Sequence, residues 1–101
     1  MMEEFLAIAF KLLICHLIGD YVLQIDFIAK TKGENFYHLF VHCVLYLVPF
    51  ILVGVWTNLI WFIFATHLII DYNKATLNSI DYKTDQILHY VVLLFVALLM
   101  A

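Results

Sequence analysis

Apolar residues fill four long runs of the chain, and polar residues interrupt them at KTKGEN (30–35), VWTN (55–58) and NKATLNSIDYKTD (73–85). The runs predict helices at about 4–29, 36–55, 58–78 and 84–100. Each is near the roughly 20 residues that a helix needs to cross a bilayer, the last being the shortest. In lipid, only helices satisfy their own backbone at this length. Short connections make neighbours antiparallel, so the pattern predicts an all-α, four-helix transmembrane bundle in up-down-up-down order. Pro49 falls inside the second helix, where it removes one backbone hydrogen bond and predicts a kink.

Composition sharpens the class. Hydrophobic letters make up 66% of the 101 residues and charged letters 13%, and the mean hydropathy is +1.03, against about 45–50% apolar and about 25% charged in soluble domains. An integral membrane protein of one domain, residues 1–101, is expected. The opening MMEEF is acidic where a secretory leader is basic, so the first helix is expected to be retained. A net charge of −3 argues against nucleic acid as a partner. Cys15 and Cys43 lie inside apolar runs and read as buried small hydrophobes. Antiparallel order puts Lys30, Lys32, Lys74 and Lys83 on one side, which the positive-inside rule makes cytoplasmic. Tyr21, Tyr37, Tyr72 and Tyr82 suit that interface, and Trp56 and Trp61 the opposite one.

The polar letters repeat. HLIGDY at 16–21 returns as HLIIDY at 67–72. The same shift carries Glu34 onto Asp85, Asn35 onto Gln86 and His38 onto His89, whereas His42 meets Leu93. Two copies of a helical hairpin, about 1–50 and 51–101, are therefore expected, related by a pseudo-twofold axis along the membrane normal.

Positions four apart stack on one helical face. The ten His and Asp residues form five such pairs, 16/20, 38/42, 67/71, 81/85 and 85/89, where chance placement gives about one. Helix direction predicts that all the histidines lie deeper than their carboxylates, as a ring of imidazoles capped by a ring of acids. Charges in the bilayer cost about 2.5–3.5 kcal/mol each on insertion scales, and the chain has no arginine. One or two divalent cations (Zn, Mn or Fe) answer that cost, since imidazole and carboxylate suit them. The expected ligands are His16, Asp20, His38, His42, His67, Asp71, Asp85 and His89, with His38 either a ligand or a residue that supports one. The competing reading makes intramembrane histidines hydrogen-bonded packing residues. Glu34 equally suits a solvated helix start, and Asp26 and Asp81 read as solvated. Gln24, Lys30, Lys32 and Lys74 are candidates to contact an anionic head group, although a basic interface flank explains the lysines equally well.

H-L-I-G-D-Y-V-L-Q at 16–24, a lysine soon after, H-x-x-x-H at 38–42, H-x-x-x-D at 67–71 and D-Q-x-x-H at 85–89 occur in order along nearly the whole chain. In these motifs the chain resembles an uncharacterised family of short bacterial and phage four-helix membrane proteins, a domain of unknown function. That group is similar in motif style to inner-membrane metal-dependent hydrolases of the YdjM type, and more distantly to zinc-dependent phospholipase C. The resemblance implies a multi-pass protein of the bacterial inner membrane with its site on the cytoplasmic side. The expected function is metal-dependent hydrolysis of a phosphoester, a lipid head group or lipid-linked phosphate, by a water that the ion activates. Asp20, Asp71 and Asp85 are the catalytic candidates, one of them as proton acceptor. Expected partners are membrane lipid and an anionic phosphate-containing substrate, with homo-oligomerisation left open. Metal-ion or proton relay, haem or histidine-box redox chemistry, and a small accessory membrane subunit are the rival readings. The relay needs charges across the whole bilayer, and the half nearer the termini offers only Lys11.

Overall fold

The first apolar run forms α1 (Met2–Leu17), which continues without a break into a π-type turn over Ile18–Val22. The computed structural model describes all 101 residues, every regular element of which is helical. After α1 come α2 (Asp26–Thr31), α3 (Phe36–Leu52), α4 (Thr57–Asp71) with its own π-type turn at Tyr72–Thr76, and α5 (Tyr82–Met100).

The first helix is shorter than the expected 4–29. The widened turn lets Leu23 N–H donate to the Ile18 carbonyl at 2.9 Å, and Ile25 then turns extended at ψ 157°. Asp26 restarts the helix, where its charge favours a first turn. The resulting α2 buries Ile28 and packs on α3. The third predicted helix ends likewise, in the second π-type turn rather than at 78. Thus both H-x-x-x-D-Y copies lead into the same kind of irregular turn. The halves then diverge, because the second has no counterpart of α2.

Two helix starts are fixed by side chains. Asn35 accepts hydrogen bonds from the N–H groups of Tyr37 and His38 at 2.9 and 3.3 Å. Asp81 accepts from Thr84 N–H at 2.8 Å, and this bond holds its carboxyl below the usual carboxylate range. The α3 helix runs through Pro49 to Leu52.

α3 packs on α4, α4 on α5, α5 on α1 and α1 on α3, closing a four-sided bundle. Contacts such as His16 with Tyr46 and Asp20 with His42 pair α1 antiparallel to α3. Gly19 lets these two helices approach closely: a Cβ there would lie 2.8 Å from Tyr46 Cδ1 and 3.0 Å from its carbonyl oxygen. The bundle measures 43 × 25 × 22 Å. Its apolar core, which includes Leu12, Phe50, Ile63 and Val96, fills the end nearer the termini. Large apolar side chains also cover the outside, among them Phe10, Trp61 and Leu98, each more than three-fifths exposed. Met2–Val22 and Tyr82–Met100 are long and apolar enough to cross a membrane, and Phe36–Leu52 is a shorter apolar helix.

Candidate metal centre

Beyond the apolar core, toward the α2 end, the interior becomes polar. His16, Asp20, His42, His67, Asp71, Asp85 and His89 are all buried there, supplied by all four long helices and the first π-type turn. One-turn spacing explains the local pairs: His16 Nε2 lies 3.9 Å from Asp20 Oδ2, and His89 Nε2 lies 3.4 Å from Asp85 Oδ1.

Gln86 orders one side of the cluster. Its amide nitrogen donates to Asp20 Oδ2 at 3.2 Å and to Asp85 Oδ2 at 3.0 Å. Its oxygen must therefore face His16 Nε2, 2.9 Å away, and accept the proton there. His16 Nδ1 is then an acceptor, and the Tyr46 hydroxyl donates to it at 2.7 Å. Both nitrogens of His16 are thus engaged by protein groups.

The other side is less satisfied. His42 Nε2 lies 3.2 Å from Asp20 Oδ1, 3.3 Å from Asp71 Oδ2 and 3.1 Å from His67 Nε2. The Tyr46 ring stacks on His67 with centroids 3.7 Å apart, and His67 stacks in turn on His89 at 4.5 Å. His42 Nδ1, His67 Nδ1, Asp85 Oδ1 and His89 Nε2 are buried with no hydrogen-bond partner. Unpaired buried polar atoms are costly, so internal bonding leaves the cluster incomplete.

In each of two groups the ligand atoms lie within 4.8 Å of one another: Asp20 with His42 and His67, and Asp20 with Asp85 and His89. Asp20 belongs to both. Tetrahedral ligands about 2.05 Å from an ion stand about 3.3–3.4 Å apart, close to the separations of His42 from Asp20 and of His89 from Asp85. The donor set suits a divalent transition-metal ion. These buried groups could hold a cation at either position, with the Asp20 carboxylate between them.

Asp71 stands outside both groups, and a cation within the chain engages it. Lys32 Nζ donates to Asp71 Oδ1 at 3.1 Å and to Oδ2 at 2.9 Å, and both side chains are buried. Gly33 positions this lysine. A Cβ on Gly33 would collide with the Ala75 carbonyl, so only glycine brings the turn after α2 down onto the π-type turn that follows Asp71.

A polar cleft of about 70 Å³ opens above the cluster. Asp20, Asp71 and Asp85 line it with Gln24, Gln86, Lys32 and Lys74, between Tyr21 and Tyr82. The Tyr21 and Tyr82 hydroxyls are hydrogen-bonded to each other across it. No histidine lines the cleft, so the imidazoles lie beneath the carboxylates.

Of the eight candidate ligands, seven are buried in the cluster, and five of them, Asp20, His42, His67, Asp85 and His89, make up the two ligand groups, with His16 and Asp71 outside both. His38 lies elsewhere: it is half-buried against α2, with Nδ1 2.6 Å from Thr31 Oγ1 and its ring against Phe27. The restart of the helix at Asp26 creates this alternative partner. Among the head-group candidates, Gln24, Lys32 and Lys74 line the cleft and Lys30 is exposed away from it. Glu34 is exposed in the turn before α3. Sequence reasoning missed Gln86 and Tyr46. Gln86 lies three residues before His89 and Tyr46 four after His42, so a search for any polar side chain at helical spacing, rather than for His and Asp alone, finds both.

These features define an all-helical protein with a buried histidine–aspartate cluster beneath a polar cleft. The chain belongs to the family described as Protein of unknown function (DUF3307), whose match covers residues 8–101. No curated protein and no solved structure matches it.

Proposed function

We propose that the chain is a multi-pass protein of the bacterial inner membrane that hydrolyses a phosphoester, a lipid head group or lipid-linked phosphate, with one or two divalent cations in the buried cluster. The observation that carries this reading is that Asp20 serves two adjacent ligand groups beneath a cleft containing Lys32 and Lys74. A carboxylate between two cations is the arrangement that two-metal hydrolytic sites use.

In this reading all four long helices cross the bilayer. The exposed apolar side chains of α3 and α4 support it, since such surfaces are rare on soluble monomers. Lys32 is engaged by Asp71, which leaves Lys30, Lys74 and Lys83 to mark the cleft side as cytoplasmic.

Cations held by Asp20, His42, His67, Asp85 and His89 would lower the pKa of a water toward about 7 and draw charge off the phosphoryl oxygens. Lys74 holds the anionic head group at the cleft, Lys32 being engaged by Asp71. Whichever carboxylate among Asp20, Asp71 and Asp85 is not fully engaged in coordination accepts the proton from the attacking water. The ester P–O bond breaks as the water oxygen bonds to phosphorus, and the proton passes to the leaving oxygen. An apolar core below the histidines, with no charged side chain in it, favours a site over a transmembrane path.

The test is elemental analysis of detergent-purified protein, with release of phosphate from phosphatidic acid and from para-nitrophenyl phosphate followed with added Zn²⁺ or Mn²⁺. Bound metal with phosphate release supports the proposal. Metal without release removes the hydrolase, and absence of metal after loading removes the centre itself.

A further inference from the structure

Gln86 holds the carboxylates of both ligand groups, and it holds them by corresponding atoms. Its amide nitrogen carries two protons and has two carboxylate acceptors, Asp20 Oδ2 at 3.2 Å and Asp85 Oδ2 at 3.0 Å. The other oxygen of each carboxylate is left to an imidazole. Asp20 Oδ1 lies 3.2 Å from His42 Nε2 and 3.9 Å from His67 Nε2, and Asp85 Oδ1 lies 3.4 Å from His89 Nε2. Asp85 Oδ1 and His89 Nε2 are both buried with no hydrogen-bond partner. One amide thus sorts four carboxylate oxygens into two that are bonded within the protein and two that are turned to ligand nitrogens.

The orientation of this amide is fixed from behind. Its oxygen accepts from His16 Nε2 at 2.9 Å, and His16 Nδ1 accepts from the Tyr46 hydroxyl at 2.7 Å. Turning the amide over would set its oxygen against two carboxylates. Tyr46, His16 and Gln86 are all buried, and Tyr46 packs on Gly19. Donors therefore run one way, from Tyr46 on α3 through His16 on α1 to Gln86 on α5 and on to Asp20 and Asp85.

The number of oxygens a carboxylate can offer decides which ions it suits. With both oxygens free it can grip a larger, oxygen-preferring ion by both, and such ions take six or more ligands. With one oxygen engaged it offers the other alone. Asp20, His42 and His67 then make a set of one oxygen and two nitrogens. Three such ligands with a fourth position open are what hydrolytic zinc uses. In the other group a single oxygen of Asp85 joins His89 and Asp20.

We propose that Gln86 selects the ion: by engaging one oxygen of Asp20 and one of Asp85, it makes the cluster a four-coordinate zinc centre and disfavours manganese. The proposal rests on the reading of the cluster as a metal centre, and adds to it the identity of the metal and the residue that sets it. Gln86 acts through the two carboxylates and is a positioning residue, held in turn by His16 and Tyr46.

The experiment uses the full chain in dodecyl maltoside, stripped with EDTA and exchanged into metal-free buffer. Affinities for Zn²⁺ and Mn²⁺ are measured by displacement of bound Co²⁺, whose visible absorption is intense in a four-coordinate site and weak in a six-coordinate one. Gln86→Met keeps the length of the side chain and loses both bonds. Gln86→Glu puts an oxygen ligand in place of the amide donor, and His38→Ala, remote from the cluster, is the control. Imidazole-containing sites generally prefer Zn²⁺ to Mn²⁺, so the change in the affinity ratio and the Co²⁺ spectrum carry the test.

The expected result is an intense Co²⁺ spectrum and tighter binding of Zn²⁺ than of Mn²⁺ in the unaltered chain and in His38→Ala. In Gln86→Met the ratio of Zn²⁺ to Mn²⁺ affinity falls about tenfold or more, the scale of losing a partner that orients a metal ligand, and the Co²⁺ spectrum weakens. Gln86→Glu moves both readouts the same way, and carries the comparison should Gln86→Met fail to fold. A ratio and spectrum unchanged by these substitutions, or a weak Co²⁺ spectrum in the unaltered chain, overturns the proposal and leaves the metal centre standing. An unaltered chain that binds none of the three ions overturns both.

Discussion

Lys32 and Asp71 meet through both carboxylate oxygens, at 3.1 and 2.9 Å, although they lie in different halves of the chain. The pair joins the turn after α2 to the end of α4. It also divides the three buried acids: Asp71 has its own cation, whereas Asp20 and Asp85 have only amide and imidazole neighbours.

Breaking that pair from one side leaves a buried charge alone. Lys32→Met is expected to destabilise the protein by about 3–5 kcal/mol, read as a lower midpoint of unfolding in detergent. The double variant Lys32→Met, Asp71→Leu recovers most of that loss. A single variant as stable as the unaltered chain contradicts the pairing.

Asp20→Asn keeps the shape of the side chain and removes the charge shared by both ligand groups. Metal content after loading with Zn²⁺ should fall at least tenfold, while His38→Ala, remote from the cluster, should retain it. At metal concentrations about 100 times Kd, loading stabilises the unaltered protein by about 2.7 kcal/mol, and this gain should vanish in Asp20→Asn. Equal metal content in the two variants rules out the assigned centre.

Tyr46→Phe preserves the ring stacked on His67 but leaves His16 Nδ1 without its donor. A loss of about 1–3 kcal/mol is expected for that unsatisfied buried acceptor. Tyr46→Ala removes the stack as well and should cost more. Thermal unfolding of the two variants side by side checks the order.

Asp81 gives a pH dependence outside the bundle interior. Its carboxyl is held low by the bond from Thr84 N–H, so the folded state favours the ionised form. That stabilisation is present above the unfolded-state pKa and is lost as pH falls through the lower folded value. Asp81→Ala should lower the unfolding midpoint at neutral pH, and the difference should shrink as the buffer is taken through the carboxylate range. A gap independent of pH refutes capping by the ionised side chain.

Much of this arrangement was legible because helical spacing is a strong signal. His16 with Asp20 and Asp85 with His89 are one-turn pairs, and the reversal of their order between antiparallel helices predicts imidazoles beneath carboxylates. The end of α1 was not legible, since I-D-F-I-A is as apolar as a continuing helix and only the widened turn at Ile18–Val22 interrupts it. His38 was misplaced for the same reason, because its partner Thr31 belongs to the helix that the interruption creates. Lys32 read as a head-group contact or an interface lysine, and nothing local to it announces Asp71. That contact depends on a glycine meeting a carbonyl from the other half of the chain.

The Asp20 carboxyl group is planar, and its two oxygens cannot turn independently. Oδ1 faces His42 of α3, and Oδ2 faces Gln86 of α5. Any rotation that improves the fit on the α3 side therefore disturbs the fit on the α5 side, and the two flanks of the cluster must adjust as a single mechanical unit.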